Sequence, residues 1–222
     1  MKQSAGFTLF APSALIIFII IKPCSTSSCT SPISNQDMIY ILTYCIILVY
    51  IYNMCKLYIL RHAKSHWPQE LDDKARPLSE EGRQDAFILA EAMKRKNYIP
   101  DLVLCSPAER TRQTCAIVYK GSDVIYDNRL YLGSTGLLYE VLQSTESRYK
   151  NIMMIGHNPG IHGLAKLLVG RGESALISEI MMGYKPGCLS VIECTCADWR
   201  DMLPGGNRLI DLMVGEEISR SR

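Results

Sequence analysis

From Leu57 to the end of the chain, short apolar runs alternate with longer stretches whose apolar positions recur every three or four residues. The short runs LYIL (57–60), LVLC (102–105), DVIY (123–126), NIMMIG (151–156), CLSVIEC (188–194) and RLIDLMV (208–214) read as strands. The stretch 79–96 reads as a helix. Ala86, Leu89, Ala90 and Met93 fall at i, i+3, i+4 and i+7, and Ser79 is placed to cap it. Ser106-Pro107 predicts the opening of a second helix, with a capping hydroxyl and a proline in the first turn. Residues 135–144 and 161–170 read as further helices, the latter entered through Asn158-Pro159-Gly160. Strands and helices alternating in this way predict an α/β fold: an open, mostly parallel sheet with helices on both faces. Residues 56–222 contain no internal repeat or linker and read as one domain.

Residues 1–55 are of another kind, an extra N-terminal apolar segment with Lys2, Lys22 and Asp37 as its charged side chains. Two apolar runs dominate it, Phe7 to Ile21 and Met38 to Met54. The second is just under the roughly 20 residues that a bilayer-spanning helix needs, and within the tolerated range. The first lies behind Lys2 like a signal-peptide core, but KPCSTSSCTS after it lacks a small-x-small cleavage site. The strand LYILRH follows Met54 almost at once, which leaves a helix emerging from a membrane no linker in which to turn into a sheet. This favours a folded protein that begins near Met54, in the cytoplasm, behind an over-extended start or a poorly ordered extension. A membrane anchor with the folded part in the cytoplasm is the alternative.

Composition narrows the function classes. Of 222 residues, 48% are apolar and 21% charged, the balance of a packed globular protein. With 24 Lys and Arg against 22 Asp and Glu, the net charge of +2 argues against a broad nucleic-acid-binding face. The nine cysteines are an odd number without CxxC spacing in residues 56–222, and read as reduced thiols.

All four histidines lie beyond residue 55, and two of them stand just past predicted strands. LYILRHAKS places Arg61 and His62 there, MMIGHNPG places His157, and SPAERT places Arg110 in the helix after LVLC. Ligands of open α/β sheets bind at the carboxyl ends of the strands, so these four groups converge if the strands are neighbours. Guanidinium forks suit phosphate oxygens, a neutral imidazole between them is a nucleophile, and a second imidazole, if protonated, donates to the developing charge. GHNPG adds backbone amides at a helix start, which favours an anion. Together these point to phosphoryl transfer through a phosphohistidine. His62/His66 and His157/His162 have short spacings, but neither has the HExxH arrangement, and two guanidiniums would repel a divalent ion. No metal and no cofactor is expected.

The order RHAKS, SPxxRTxQT, GHNPG resembles the histidine phosphatase superfamily, of phosphoglycerate mutase-like fold, and within it the small SixA-type phosphohistidine phosphatases. LDDKARPLSEEGRQDA, DNRLYLGS and KPGCLSVIE extend the likeness over nearly all of residues 56–222. The resemblance implies that His62 is the nucleophile, with a backbone carbonyl holding its Nδ1–H. It implies that Arg61 and Arg110 bind phosphate, that His157 is the second catalytic histidine, and that Asn158 shapes the pocket.

One position departs from many relatives, which carry a glutamate after Arg-Leu that protonates an ester leaving oxygen. Here Arg129-Leu130 is followed by Tyr131. A phosphoramidate nitrogen, once protonated, leaves without such an acid, so the departure fits a phosphohistidine substrate better than a sugar phosphate, although Glu140 is another carboxylate within reach of the same segment. The expected partner is a phosphohistidine-bearing protein such as a phosphotransfer domain. The alternatives are a phosphatase of the same fold acting on small esters, and a membrane-tethered pseudo-enzyme that holds a phosphorylated partner.

Overall fold

The computed structural model describes residues 34, 36, 38–44, 54–67 and 71–220. The chain divides into two units, Met1–Ile47 and Leu48–Arg222. In the first, residues 38–44 are helical, whereas the run Phe7 to Ile21 and the rest of Met38 to Met54 up to residue 53 lie outside the described residues. Among the described residues, no helix is long and apolar enough to cross a membrane.

The second unit is built on seven strands: β1 (Cys55–Arg61), β2 (Leu102–Cys105), β3 (Val124–Tyr126), β4 (Asn151–Gly156), β5 (Val169–Gly172), β6 (Cys188–Cys194) and β7 (Asn207–Val214). They form one sheet in the order β3-β2-β4-β1-β6-β7-β5. The pairs β3–β2, β2–β4, β4–β1 and β5–β7 are parallel, and β6 runs against both of its neighbours. The sheet is therefore mostly parallel, as the alternation of elements predicts. Among the described residues, six helices accompany it: α1 (Glu80–Arg95), α2 (Glu109–Val118), α3 (Thr135–Gln143), α4 (Gly160–Leu168), α5 (Ser174–Met182) and α6 (Gly215–Arg220).

The central strands are apolar at nearly every position because both of their faces are covered. Leu57 and Ile59 of β1, with Ile152 and Met154 of β4, pack against Leu138 and Leu142 of α3 and Leu164 and Leu168 of α4. The alternate residues Tyr58, Leu60, Met153 and Ile155 pack on the other side against Ala86, Leu89 and Met93 of α1. A fully buried side chain such as Leu89 contributes about 1.5–3 kcal/mol. Ser79 caps α1 through its side chain, which accepts from the Gly82 amide, and Glu80 and Glu81 complement the helix dipole.

Three readings are corrected. The helix expected from Ser106-Pro107 begins only at Glu109, with Ala108 at its N-cap and no side-chain cap, because the Ser106 hydroxyl is engaged elsewhere. The helix 161–170 ends at Leu168, and its last two residues open the edge strand β5. VGRG has too few apolar positions for a period to show, and its strand character comes from pairing with β7. The helices α5 and α6 have no counterpart among the predicted elements.

Gly82 sits where α1 crosses the chain just past β1. A Cβ there would lie 2.0 Å from the Lys64 carbonyl oxygen, whereas one at Gly136 would meet nothing within 4 Å. Gly82→Ala should destabilise the fold by about 1–3 kcal/mol, read as a lowered Tm, while Gly136→Ala leaves the Tm unchanged or raises it.

Candidate active site

Three parallel strands end in one layer. Arg61 is in register with Gly156, and Cys105 with Ile155, so the next residues, His62, Ser106 and His157, emerge side by side. The backbone ties them in place. The His62 amide donates to the Gly156 carbonyl, and the Ser106 amide to the Ile155 carbonyl. The structure thus brings together the two histidines expected at the site, with ring centroids 5.1 Å apart.

His62 is 9% exposed, and its Nδ1 lies 2.8 Å from the Ala63 carbonyl oxygen. Nδ1 is the nitrogen that donates there, since a carbonyl only accepts, so the lone pair is left on Nε2. Burial, together with Arg110, Arg61 and Arg76, lowers the His62 pKa to about 4 despite the carbonyl's opposing pull. His157 is 3% exposed and lowered to about 3 by burial, His62 and Arg110. The free site therefore holds two neutral imidazoles near pH 7. Nε2 of His157 lies 2.8 Å from the Ser106 hydroxyl, and its Nδ1 is buried without a hydrogen-bond partner.

Arg61 and Asn158 meet at one atom. Arg61 Nη1 donates to the Tyr184 carbonyl at 2.7 Å, and Asn158 Nδ2 donates to the same oxygen at 3.0 Å. The Nε of Arg61 is buried and unpartnered, as is Oδ1 of Asn158. The Tyr184 hydroxyl donates to the Ile59 carbonyl, its ring stacks on His162, and His162 Nε2 donates to the Ile180 carbonyl. His162 is thus a strut beneath the site, and His66 is exposed.

Arg110, 3% exposed, reaches the site from α2. Its Nη2 donates to Asp73 Oδ2 at 2.9 Å and its Nη1 to the Asp73 carbonyl. Arg76 Nη1 donates to Asp73 Oδ1 at 2.8 Å, and the Tyr131 hydroxyl to Asp73 Oδ2 at 2.8 Å. The Tyr131 ring meets His157 edge-on, with centroids 5.5 Å apart. Lys64 turns away from the site, with Nζ in ion pairs to Glu81, Asp85 and Glu216. Sequence reasoning missed Asp73, Arg76, Ser106 and Tyr184 as members of this neighbourhood. Asp73 and Arg76 stood inside the stretch LDDKARPLS that carries the likeness, and that was their only signal. Among the described residues, no group of three or more His, Cys, Asp or Glu is placed to hold a metal ion.

The family model for the histidine phosphatase superfamily (branch 1) matches residues 57–131. An uncharacterized protein of Mycobacterium tuberculosis is 29% identical over 156 residues, covering 70% of this chain and 99% of that one. Among solved structures, a protein assigned as the phosphohistidine phosphatase SixA of Nakamurella multipartitia superposes with a TM-score of 0.64 at 25% identity, covering 72% of this chain and 95% of that one. A protein likewise assigned from Agrobacterium tumefaciens gives 0.61 at 28% identity, over 72% and 97%. Over residues 57–131 the chain thus resembles the histidine phosphatase superfamily, and its fold is the phosphoglycerate mutase-like one. Within that superfamily its likeness is to the SixA type, and the matches support a phosphatase.

Burying two neutral imidazoles has a consequence for stability. In the unfolded chain each takes up a proton below about pH 6.5, while the folded state resists protonation down to about 4 at His62 and about 3 at His157. The unfolded state binds more protons across that window, so stability falls as the pH is lowered from 6.5 toward 4. Thermal melts should show this fall, and His157→Gln should make it shallower. An unchanged slope in the variant would exclude the histidine as its source.

Proposed function

We propose that the protein hydrolyses phosphohistidine in a protein substrate, through a phospho-His62 intermediate. Nε2 of His62 attacks phosphorus in line with the substrate's P–N bond, which breaks as the new P–N bond forms. The substrate imidazole departs neutral when its other ring nitrogen carries a proton. A water molecule then attacks the phosphorus of phospho-His62, releasing inorganic phosphate and regenerating the neutral imidazole. Arg61, through its buried unpartnered Nε, and Arg110 hold the phosphoryl oxygens. With the Ser106 hydroxyl donating to Nε2 of His157, the proton of that ring sits on the buried unpartnered Nδ1, and His157 donates it as a neutral hydrogen-bonding group. Asn158, sharing the Tyr184 carbonyl with Arg61, fixes the orientation of that arginine.

The observation that carries the phosphohistidine reading is the state of the groups where a leaving-group acid would stand. Tyr131 donates its hydroxyl proton to Asp73, and the Asp73 carboxyl is held well below the usual carboxylate range. Burial would raise it, but hydrogen bonds from Tyr131, Arg76 and Arg110 prevail. Glu140 is exposed on α3, with Arg129 as an electrostatic neighbour. An ester oxygen needs a proton donor at departure, and a phosphoramidate nitrogen whose ring already carries a proton does not. The two solved structures assigned as phosphohistidine phosphatases support the same substrate. The partner this implies is a phosphohistidine-bearing protein such as a phosphotransfer domain, acting in signal transduction in the cytoplasm.

Acid-quench trapping with labelled substrate tests the mechanism, and should give an acid-labile, base-stable label on His62. His62→Ala should abolish the label and lower turnover by about three orders of magnitude or more. Steady-state kinetics on a phosphohistidine peptide and a simple monoester test the substrate. A higher kcat/KM for the monoester would overturn the phosphohistidine assignment.

A further inference from the structure

The segment between β1 and α1 carries a carboxylate into the cationic side of the pocket. Asp73 stands on the short 3-10 turn Asp73–Ala75, and its side chain is 37% exposed. Three donors converge on that carboxylate: Arg110 Nη2 and the Tyr131 hydroxyl on Oδ2, and Arg76 Nη1 on Oδ1. The Asp73 main-chain carbonyl takes the other terminal nitrogen of Arg110. Two guanidiniums and a phenol around one anion form the donor set that a phosphoryl group would meet. Arg61 Nε and His157 Nδ1, by contrast, are buried and unpartnered. One half of the pocket is thus ready for an anion, while the other half already holds the chain's own.

We propose that Asp73 is an internal competitor of the phosphoryl group, which holds Arg110 in the free protein and moves aside when a dianion enters. The parts differ in the freedom this requires. Arg110 is rooted in α2 and almost fully buried, so the fork cannot swing far. Arg76 keeps other partners when Asp73 leaves: its Nε donates to the His66 carbonyl, its Nη2 to the Ser65 hydroxyl, and its guanidinium stacks on Trp67 at 3.5 Å. The turn that bears Asp73 buries none of its three residues and so has little packing to lose. Charge sets the direction of exchange, because a phosphoryl dianion attracts the guanidiniums more strongly than a carboxylate monoanion does. Asp73 therefore acts as a specificity determinant. Singly charged anions do not displace it, and its return opposes retention of the phosphate product.

The opposite role, a fixed strut that orients Arg110 and stays in place, predicts the reverse result. Titration calorimetry with inorganic phosphate on the full-length protein decides between them. Asp73→Asn and Asp73→Ala should each bind phosphate about tenfold more tightly than the parent, since the binding-competent arrangement no longer has to be reached against the internal anion. Equal or weaker binding in either variant, with an unfolding transition retained, would overturn the proposal and leave Asp73 as a strut. The inference rests on the pocket taking phosphate, not on phosphohistidine as substrate. Turnover of a phosphohistidine peptide by the parent protein, measured alongside, tests the substrate reading separately.

Discussion

Guanidinium groups gathered under a protein surface repel one another, and each loses hydration that only an anion or a well-placed acceptor restores. That constraint governs the site. Arg61 meets it with a backbone carbonyl, from Tyr184, and Arg110 with a carboxylate, from Asp73. The two imidazoles meet it by staying uncharged. Each arrangement leaves positive potential available where an oxyanion would sit, and Arg110 also has a counter-ion in the protein at rest. Burial, aided by the neighbouring guanidiniums, thus keeps the imidazole lone pair of His62 free.

The sheet supplies the geometry. Because β1, β2 and β4 are adjacent and parallel, three chain segments far apart in sequence end in one layer, and register alone sets His62 beside His157. The reversed strand β6 closes the other side of β1, and the Gly187 amide just before β6 donates to the carbonyls of Arg61 and His62. The backbone of His62 is therefore held from both flanking strands. An imidazole whose ring and backbone are both fixed needs little reorganisation to attack in line.

The strands with continuous apolar runs, and the helices with a clear three-to-four period, were legible in the sequence, because burial on both faces of a sheet leaves such patterns. Arg61, His62, Arg110 and His157 were legible as a set through their motifs. What was hidden depended on tertiary partners. VGRG becomes a strand only through β7, and Ser106 looks like a helix cap until its hydroxyl is seen beside His157. Asp73 was harder still. An aspartate in a charged stretch reads as solvated, and nothing local says that two arginines and a tyrosine from distant segments enclose it.

Lys64, two residues past His62, has a reach that its position in a loop conceals. Its ammonium joins Glu81 and Asp85 of α1 to Glu216 of α6, the last helix of the chain. The loop that follows His62 is thus tied by ion pairs to both the first and the last described helix of this unit. A fusion or cleavage beyond β7, a peripheral edit by position, therefore acts on a contact of the loop that follows His62.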